Sequence, residues 1–320
     1  MATSGSINYT QTRNEVILDA LQIIGAYGLG RTVSSEDNVF CTSILNKMVK
    51  AWGAKGLHLW TKEEAYLYLT PNVGDYVLGS TAKMATTNEA IENRLNGALA
   101  AAATAVTLDS TTGMAVADVI GIVLTDKTIH WDTIATIPTS TTLTLTTGVL
   151  TAASDNALVY TYTTAVTKPL RINDVRRRTG YDSGSSSTIV DVSLTNVRHE
   201  AFFSIPSRTQ GGVPVQYTYM PKLTSGTFSV WPRPQDGSER LVITYERIIE
   251  DLDNASDNFD FPSEWLEALT YQLAVRLCQP FGMQNALQSL IPMASQMLTD
   301  LLEWDAETGS IDVAPDLGGC

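Results

Sequence analysis

The chain has 320 residues, of which 44% are hydrophobic and 17% charged, a composition that excludes wholesale disorder, and no run nears the roughly 18 apolar residues of a membrane helix. The formal charge is −13, and it sits at one end. Residues 1–100 carry 8 cations and 9 acids, residues 101–249 carry 12 and 12, and residues 250–320 carry one cation, Arg276, and 13 acids; a generic nucleic-acid binder is excluded on that balance, because phosphate neutralisation needs a basic surface.

The first residues, Met1 to Ser6, offer neither a charged nor an apolar leader region, so no secretory signal is expected. Thr12 and Glu15 form a capping-box pattern. Val16, Ile17, Ala20, Leu21, Ile24 and Tyr27 follow at helical spacing, with Gly28 and Gly30 as the predicted stop. A second helix is predicted after Ser34, with Glu36 and Asp37 in its first turn and a stripe of Cys41, Ile44, Leu45, Met48, Val49 and Trp52. Gly53 and Gly56 mark its end. Such a hairpin of helices needs partners for its remaining apolar faces.

A β-rich body begins near Tyr66, Tyr68 and Val77. Residues 101–167 hold 19 threonines and 11 alanines, with little charge. Short apolar runs recur there: Val106 to Leu108, Val119 to Leu124, Ile129 to Ile137, Leu143 to Leu145 and Leu158 to Tyr162. Turn signals at Asp126-Lys127, Thr139-Ser140 and Asp155-Asn156 separate them, as in a small barrel or sandwich. A second β region runs from Leu170 to Ile249, with hairpins predicted at Gly184 to Ser187, Ser225-Gly226 and Asp236-Gly237. Tyr217, Tyr219, Phe228, Val230, Leu241, Ile243 and Tyr245 alternate with period two.

The chain returns to helical periodicity near its end. Pro262 suits a first helical turn, and Trp265, Leu266, Leu269, Leu273 and Leu277 form a stripe that Gln279-Pro280 closes. A fourth stripe runs Leu287, Leu290, Ile291, Ala294, Leu298, Leu301 and Leu302, with a kink or restart expected at Pro292. After Trp304 the period is lost, and an acidic flexible tail is expected over 307–320. The fold class is therefore α+β. A discontinuous helical bundle domain is drawn from both chain ends (1–64 with 261–306). Into it is inserted a β-sandwich or barrel body (65–84 with 166–260), which itself receives the Thr/Ala-rich β module (85–165).

No reaction chemistry stands out. Cys41, Cys278 and Cys320 are too scattered for a disulfide framework or a metal site, and a reducing cytosol is the expected place of synthesis. His58, His130 and His199 fit no zinc spacing and read as core or surface residues. No GxSxG elbow and no phosphate-binding glycine loop is present; Gly25 to Gly30 is glycine-rich but follows a helix instead of preceding one. The acidic run Glu250 to Asp260 fails as an EF-hand loop: counted from Asp251, Ser256 and Pro262 stand where Gly and Glu are needed. No spacing singles out a carboxylate pair for glycoside cleavage. Arg176-Arg177-Arg178 is the only dense basic cluster, suited to an acidic partner, with the acidic C-terminal segment of a neighbouring copy as one mate. No catalytic residue, metal or cofactor is expected.

The ends resemble a known family. Ile44 to Trp60 (ILNKMVKAWGAKGLHLW) is similar to a stretch in the head-to-tail adaptors of tailed phages, the tail tubular protein A and packaged-DNA stabilisation proteins. Further similarities, in the same order, are Gly74-Asp75-Tyr76, Pro169-Leu170-Arg171-Ile172 with Arg176 to Arg178, and Val230 to Pro234. Phe261 to Leu269 with Gln279 to Gly282 completes the set. Shorter members run from Gly-Asp-Tyr almost directly to Arg-Ile, so the module at 85–165 is a departure. The resemblance implies a non-enzymatic virion protein made in the bacterial cytoplasm, assembled as a ring, typically of twelve copies, between portal and tail. It implies portal and tail nozzle or tube proteins as partners and passage of double-stranded DNA without specific binding; the module at 85–165, outside that pattern, is expected to be an outward decoration or a contact for tail or fibre proteins. On this reading Arg176, Arg177, Arg178 and Trp265 touch neighbouring subunits or partners. Asp300, Glu303, Asp305 and Glu307 form an acidic segment facing the channel or the portal. Another tail, baseplate or fibre-attachment protein is the alternative, and a glycan-degrading tail enzyme a third.

Overall fold

The computed structural model describes residues 5–6, 8–53, 59–79, 82–179, 189–235, 237 and 239–304. Strands predominate in a mixed α+β chain, with five α-helices among the described residues. Two compact units result, residues 1–61 with 249–320 and residues 62–248.

The first unit holds α1 (Arg13–Ile23), α2 (Ser35–Gly53), α4 (Trp265–Cys278) and α5 (Leu287–Trp304). The Thr12 amide and hydroxyl both donate to Glu15 Oε2, at 2.7 and 2.9 Å, and these bonds hold the Glu15 carboxyl below its ordinary range. α1 ends earlier than its apolar spacing predicts. Gly25 takes a left-handed φ of 77°, its amide donates to Gln22 O, and the Ala26 amide donates to Leu21 O. That is a Schellman closure, so Gly25 rather than Gly28 or Gly30 stops the helix. Ser34 Oγ caps α2 by accepting from the Asp37 amide at 3.1 Å.

Val16, Ile17 and Leu21 of α1 share one core with Cys41, Leu45, Met48 and Trp52 of α2 and Trp265, Leu269, Leu273 and Leu277 of α4. α5 adds Leu290, with Leu298, Leu301 and Leu302 partly buried. α4 starts at Trp265, three residues after Pro262, whose carbonyl accepts from the Trp265 amide. α5 runs through Pro292 as a single helix.

The second unit carries three sheets. The first has five strands in the order β11-β10-β15-β1-β3: β1 (Lys62–Tyr68), β3 (Ala85–Thr86), β10 (Arg171–Thr179), β11 (Val190–Ser193) and β15 (Arg240–Glu246). The second has four, β12-β13-β14-β2: β2 (Asp75–Leu78), β12 (Thr195–Asn196), β13 (Gln216–Pro221) and β14 (Gly226–Trp231). Ala65, Leu67, Val175, Leu241, Ile243 and Tyr245 of the first sheet share a core with Tyr76, Leu78, Tyr217, Phe228 and Val230 of the second. A short helix without a sequence signal, α3 (His199–Phe203), lies between β12 and β13. The hairpin predicted at Gly184 to Ser187 and Asp236 of the Asp236-Gly237 turn lie outside the described residues.

The Thr/Ala-rich stretch forms the third sheet, in the order β4-β9-β6-β7-β8-β5: β4 (Ile91–Arg94), β5 (Ala105–Thr107), β6 (Val119–Val123), β7 (Ile129–Thr136), β8 (Thr142–Leu145) and β9 (Leu158–Tyr162). Its edge strands meet at a bridge between Leu95 and Leu108, so the sheet curls into a half-barrel. Val106, Ile120, Ile122, Ile134, Leu143, Leu145 and Val159 fill the inside. Threonine hydroxyls pair across the outside, Thr133 with Thr146 at 2.8 Å and Thr136 with Thr144 at 2.7 Å. The pleat accounts for the composition: β-branched side chains on both faces, apolar within and hydroxylated without.

β1 joins the half-barrel to the paired sheets. Ala65 and Leu67 face the shared core, while Tyr66 and Tyr68 face the half-barrel. Tyr68 is fully buried, its ring centroid lies 4.4 Å from that of Tyr160, and its hydroxyl accepts from the Ala90 amide at 3.0 Å. Trp131 packs 5.9 Å from Tyr68, across from Gly121 in the β6–β7 register. Opposite Tyr68 on β15 stands Arg240, 4% exposed and paired to Glu92 at 2.6 Å and to Glu89. Burial pushes the Glu92 carboxyl up to about 7, against the opposing pull of Arg240.

This seam sets three expected outcomes. A Cβ at Gly121 would lie 2.5 Å from the Trp131 ring, so Gly121→Ala should cost about 1–3 kcal/mol by overpacking and shift tryptophan fluorescence. Arg240→Ala leaves two carboxylates facing each other in a buried seam and should cost about 3–5 kcal/mol in denaturant unfolding. Glu92 binds more protons folded than unfolded between its ordinary value of 4.5 and about 7. Its contribution to stability therefore falls as pH rises through that window. Unfolding curves of the wild type and Glu92→Gln across the same window should differ by an amount that changes with pH; a constant difference contradicts this account.

Candidate functional site

The arginine run lies on β10, where the pleat sends successive side chains to opposite faces. Arg176 and Arg178 share the outer face of the five-stranded sheet, and Arg177 takes the other. Arg178 forms a two-point pair with Asp191 of β11, at 2.8 Å from both Nε and Nη2, and lies 3.8 Å from Glu89. Hydrogen bonding to Arg178 keeps the Asp191 carboxyl below its usual range. Arg176 pairs with Glu64 and approaches Asp174 at 3.4 Å. Arg177 pairs with Glu239 at 2.8 Å. All three charges are therefore met within the chain.

Beside this network opens a cleft of about 580 Å³ lined by Glu63, Glu64, Tyr66, Thr87, Asn88 and Glu89. Each of its carboxylates has an arginine: Glu63 is 2.9 Å from Arg247, Glu64 pairs with Arg176, and Glu89 with Arg240. The cleft is acidic in composition and neutral in charge. Its buried anchor, Arg240, has no cluster or motif around it in the sequence, and only the strand pairing brings it to Glu89 and Glu92.

Trp265 is 1% exposed, packed edge-on against Trp52 at 5.8 Å and Trp60 at 6.1 Å. The expectation of a partner contact there gives way to a core position, because the helical stripe that singles it out is also the stripe that turns inward. Asp300 and Glu303 are exposed on the last turns of α5, beside Trp304, which is 63% exposed. Asp300 accepts from Gln296 Nε2 at 2.6 Å. Asp305, Glu307 and the expected tail over 307–320 lie outside the described residues, as do His58 and Cys320.

The acidic run at 250–260 is laid across α1 and α2. Arg13 Nη1 donates to Asp253 O at 2.8 Å, Lys50 pairs with Asp251 at 2.8 Å, and the Leu252 amide donates to Asn46 Oδ1 at 3.2 Å. Leu252 itself is buried in the helical core. Among the described residues, no group of three or more His, Cys, Asp or Glu could hold a metal ion. Cys41 and Cys278 are buried thiols, and burial pushes Cys41 up to about 11. No helix of the described residues is long and apolar enough to cross a membrane.

The surface around α3 has no counterpart among the sequence motifs. α3 buries Phe202 and leaves Phe203 42% exposed. The His199 ring lies 4.3 Å from Phe203, and the Arg208 guanidinium sits 4.0 Å over the Phe203 ring. The loop after α3 is tied down by Trp231, which donates to Ser207 O at 3.0 Å, and by Arg233, whose amide donates to Gln210 O at 2.9 Å. Arg198, Arg208 and Arg233 form no ion pair among the described residues.

The chain matches the family model of the SU10 adaptor protein over residues 87–313. No curated protein matches it. The matched segment includes nearly all of the half-barrel, the arginine run, α3, α4 and α5, and leaves α1, α2 and Gly74-Asp75-Tyr76 outside. With more than half its length matched, the chain belongs to the SU10 adaptor protein family.

Proposed function

We propose that this chain is a structural adaptor of a tailed phage, set as a ring between the portal and the tail, where it continues the DNA channel. Family membership over residues 87–313 is the observation that carries this reading. The resemblance of the ends to tail tubular protein A-like adaptors supports it, and so does the charge. A conduit has to pass a duplex without holding it, and an acidic wall repels phosphates. The net −12 of residues 250–320 suits that wall. In this reading the acidic end, from Asp300 and Glu303 through Asp305 and Glu307, stands toward the channel or the portal.

The helices of both chain ends form the ring-building bundle, the paired sheets its body, and the half-barrel at 85–165 an outward decoration suited to fibre or other tail proteins. The ring holds about twelve copies, as in the adaptors the ends resemble. Seating the half-barrel through the buried Arg240 pairs supports a rigid extension over a swinging one.

Purified protein mixed with the portal encoded in the same genome should add a coaxial ring of density and one mass increment per portal subunit, by sedimentation and negative-stain imaging. A portal left unchanged at both low and physiological salt sinks the proposal.

A further inference from the structure

We infer that neighbouring copies of this chain meet through charge: the α3 platform of one copy receives the acidic end of α5 of the next. The inference rests on the ring reading above and refines its placement of the acids. Those on the helix, Asp300 and Glu303, sit at the joint between copies, and the acids beyond the helix continue toward the channel or the portal.

The platform gathers cations that have no ion pair among the described residues. From Arg198 to Arg233 the chain carries four cations and one acid, Glu200. On the five-stranded sheet and just beyond β15, Arg176, Arg177, Arg178, Arg240 and Arg247 all have carboxylate partners, while Arg94 of β4 donates to Asn156 O. The platform also offers apolar surface, with Phe203, Val213 and Val215 between 42% and 50% exposed. Its exposed ring is stacked by a cation, so charge and apolar contact are offered at one place.

The end of α5 is the complement. Asp300 and Glu303 are exposed acids one turn apart, Trp304 presents its indole at the last position of the helix, and the only cation in the last 71 residues is Arg276. An exposed tryptophan flanked by carboxylates fits an exposed phenylalanine covered by the Arg208 guanidinium. Two different patches that match each other make a head-to-tail contact, and such contacts close into rings when the rotation allows. A phosphate backbone would also meet the cations, but an acidic chain repels it overall, while a second copy brings its acids on a surface that is itself partly apolar.

The test uses full-length protein and two charge reversals, Arg198→Glu with Arg208→Glu, and Asp300→Lys with Glu303→Lys. Arg198, Asp300 and Glu303 are exposed and Arg208 is half-buried over the Phe203 ring, so unchanged melting of each variant is required before its assembly is read. Self-association at rising concentration, and loading onto the portal, are read by sedimentation. Each variant alone should associate about tenfold or more weakly than the wild type, and higher salt should weaken the wild type in the same direction. An equimolar mixture should restore assembly with the two variants alternating, because each reversed platform then faces a reversed helix end.

Variants that assemble alone like the wild type overturn the inference and leave the adaptor reading standing if they still load onto the portal. Two defective variants whose mixture stays defective overturn it as well. Wild-type protein held on duplex DNA at physiological salt, and released by the platform reversal but not by the helix reversal, assigns the platform to phosphate instead. Wild type that neither self-associates nor joins the portal overturns both readings.

Discussion

One buried guanidinium organises the second unit. Arg240 is 4% exposed, and a charge taken that far from water is tolerated only with carboxylates against it. Glu92 and Glu89 supply them from the start of the half-barrel, and Glu89 is shared with Arg178. The half-barrel is thereby fixed to the sheet whose strands lie beneath it, and the Tyr68 hydroxyl and ring fix the same edge. The cost is visible in Glu92, whose carboxyl is pushed up because burial outweighs its ion pair. Such an arrangement gives up stability at neutral pH for a defined seat, since Arg240 of β15 stays paired only where Glu89 and Glu92 lie against it. Specificity of that kind is what a projecting module needs if it is to present a partner surface at a fixed angle.

Much of this was legible in the sequence where a single period decides the outcome. The helical stripes of Cys41 to Trp52 and Trp265 to Leu277 are core stripes, and the five apolar runs between Val106 and Tyr162 are strands β5 to β9. Legibility fails where the deciding contact is long-range. β4 reads Ile-Glu-Asn-Arg, with no alternation of apolar residues, and becomes a strand because β9 offers an edge and Arg240 draws in Glu92. α3 is too short for a periodicity to register. α1 stops at Gly25, the first of three glycines within six residues, and because Gly30 also takes a positive φ the choice between them is left to the backbone.

The sites show the same division. Three adjacent arginines look like one patch in a linear string, yet a pleated strand splits them between faces, and each finds an acid distant in sequence. The resemblance puts Trp265 at a subunit or partner contact, but the same spacing that makes the helix amphipathic turns it inward onto Trp52 and Trp60. Arg198, Arg208 and Arg233, without an ion pair among the described residues, are scattered over thirty-six positions, and backbone hydrogen bonds of the α3 loop tie their segments together.

Charge separation is then the property that most needs a reason. Residues 101–249 are neutral in sum, with 12 cations and 12 acids, but they are not neutral in place. The outer face of the five-stranded sheet matches its arginines one by one, and the α3 loop leaves its own unmatched, while the acid excess gathers in residues 250–320. For an isolated monomer this separation serves no purpose, since exposed charges are best interspersed for solubility. For a chain that must recognise its own copies in one direction only, two patches of opposite sign are required, because a self-complementary patch would close a pair and stop. The ring proposed for this chain has that requirement, and the uneven placement of charge along the chain answers it.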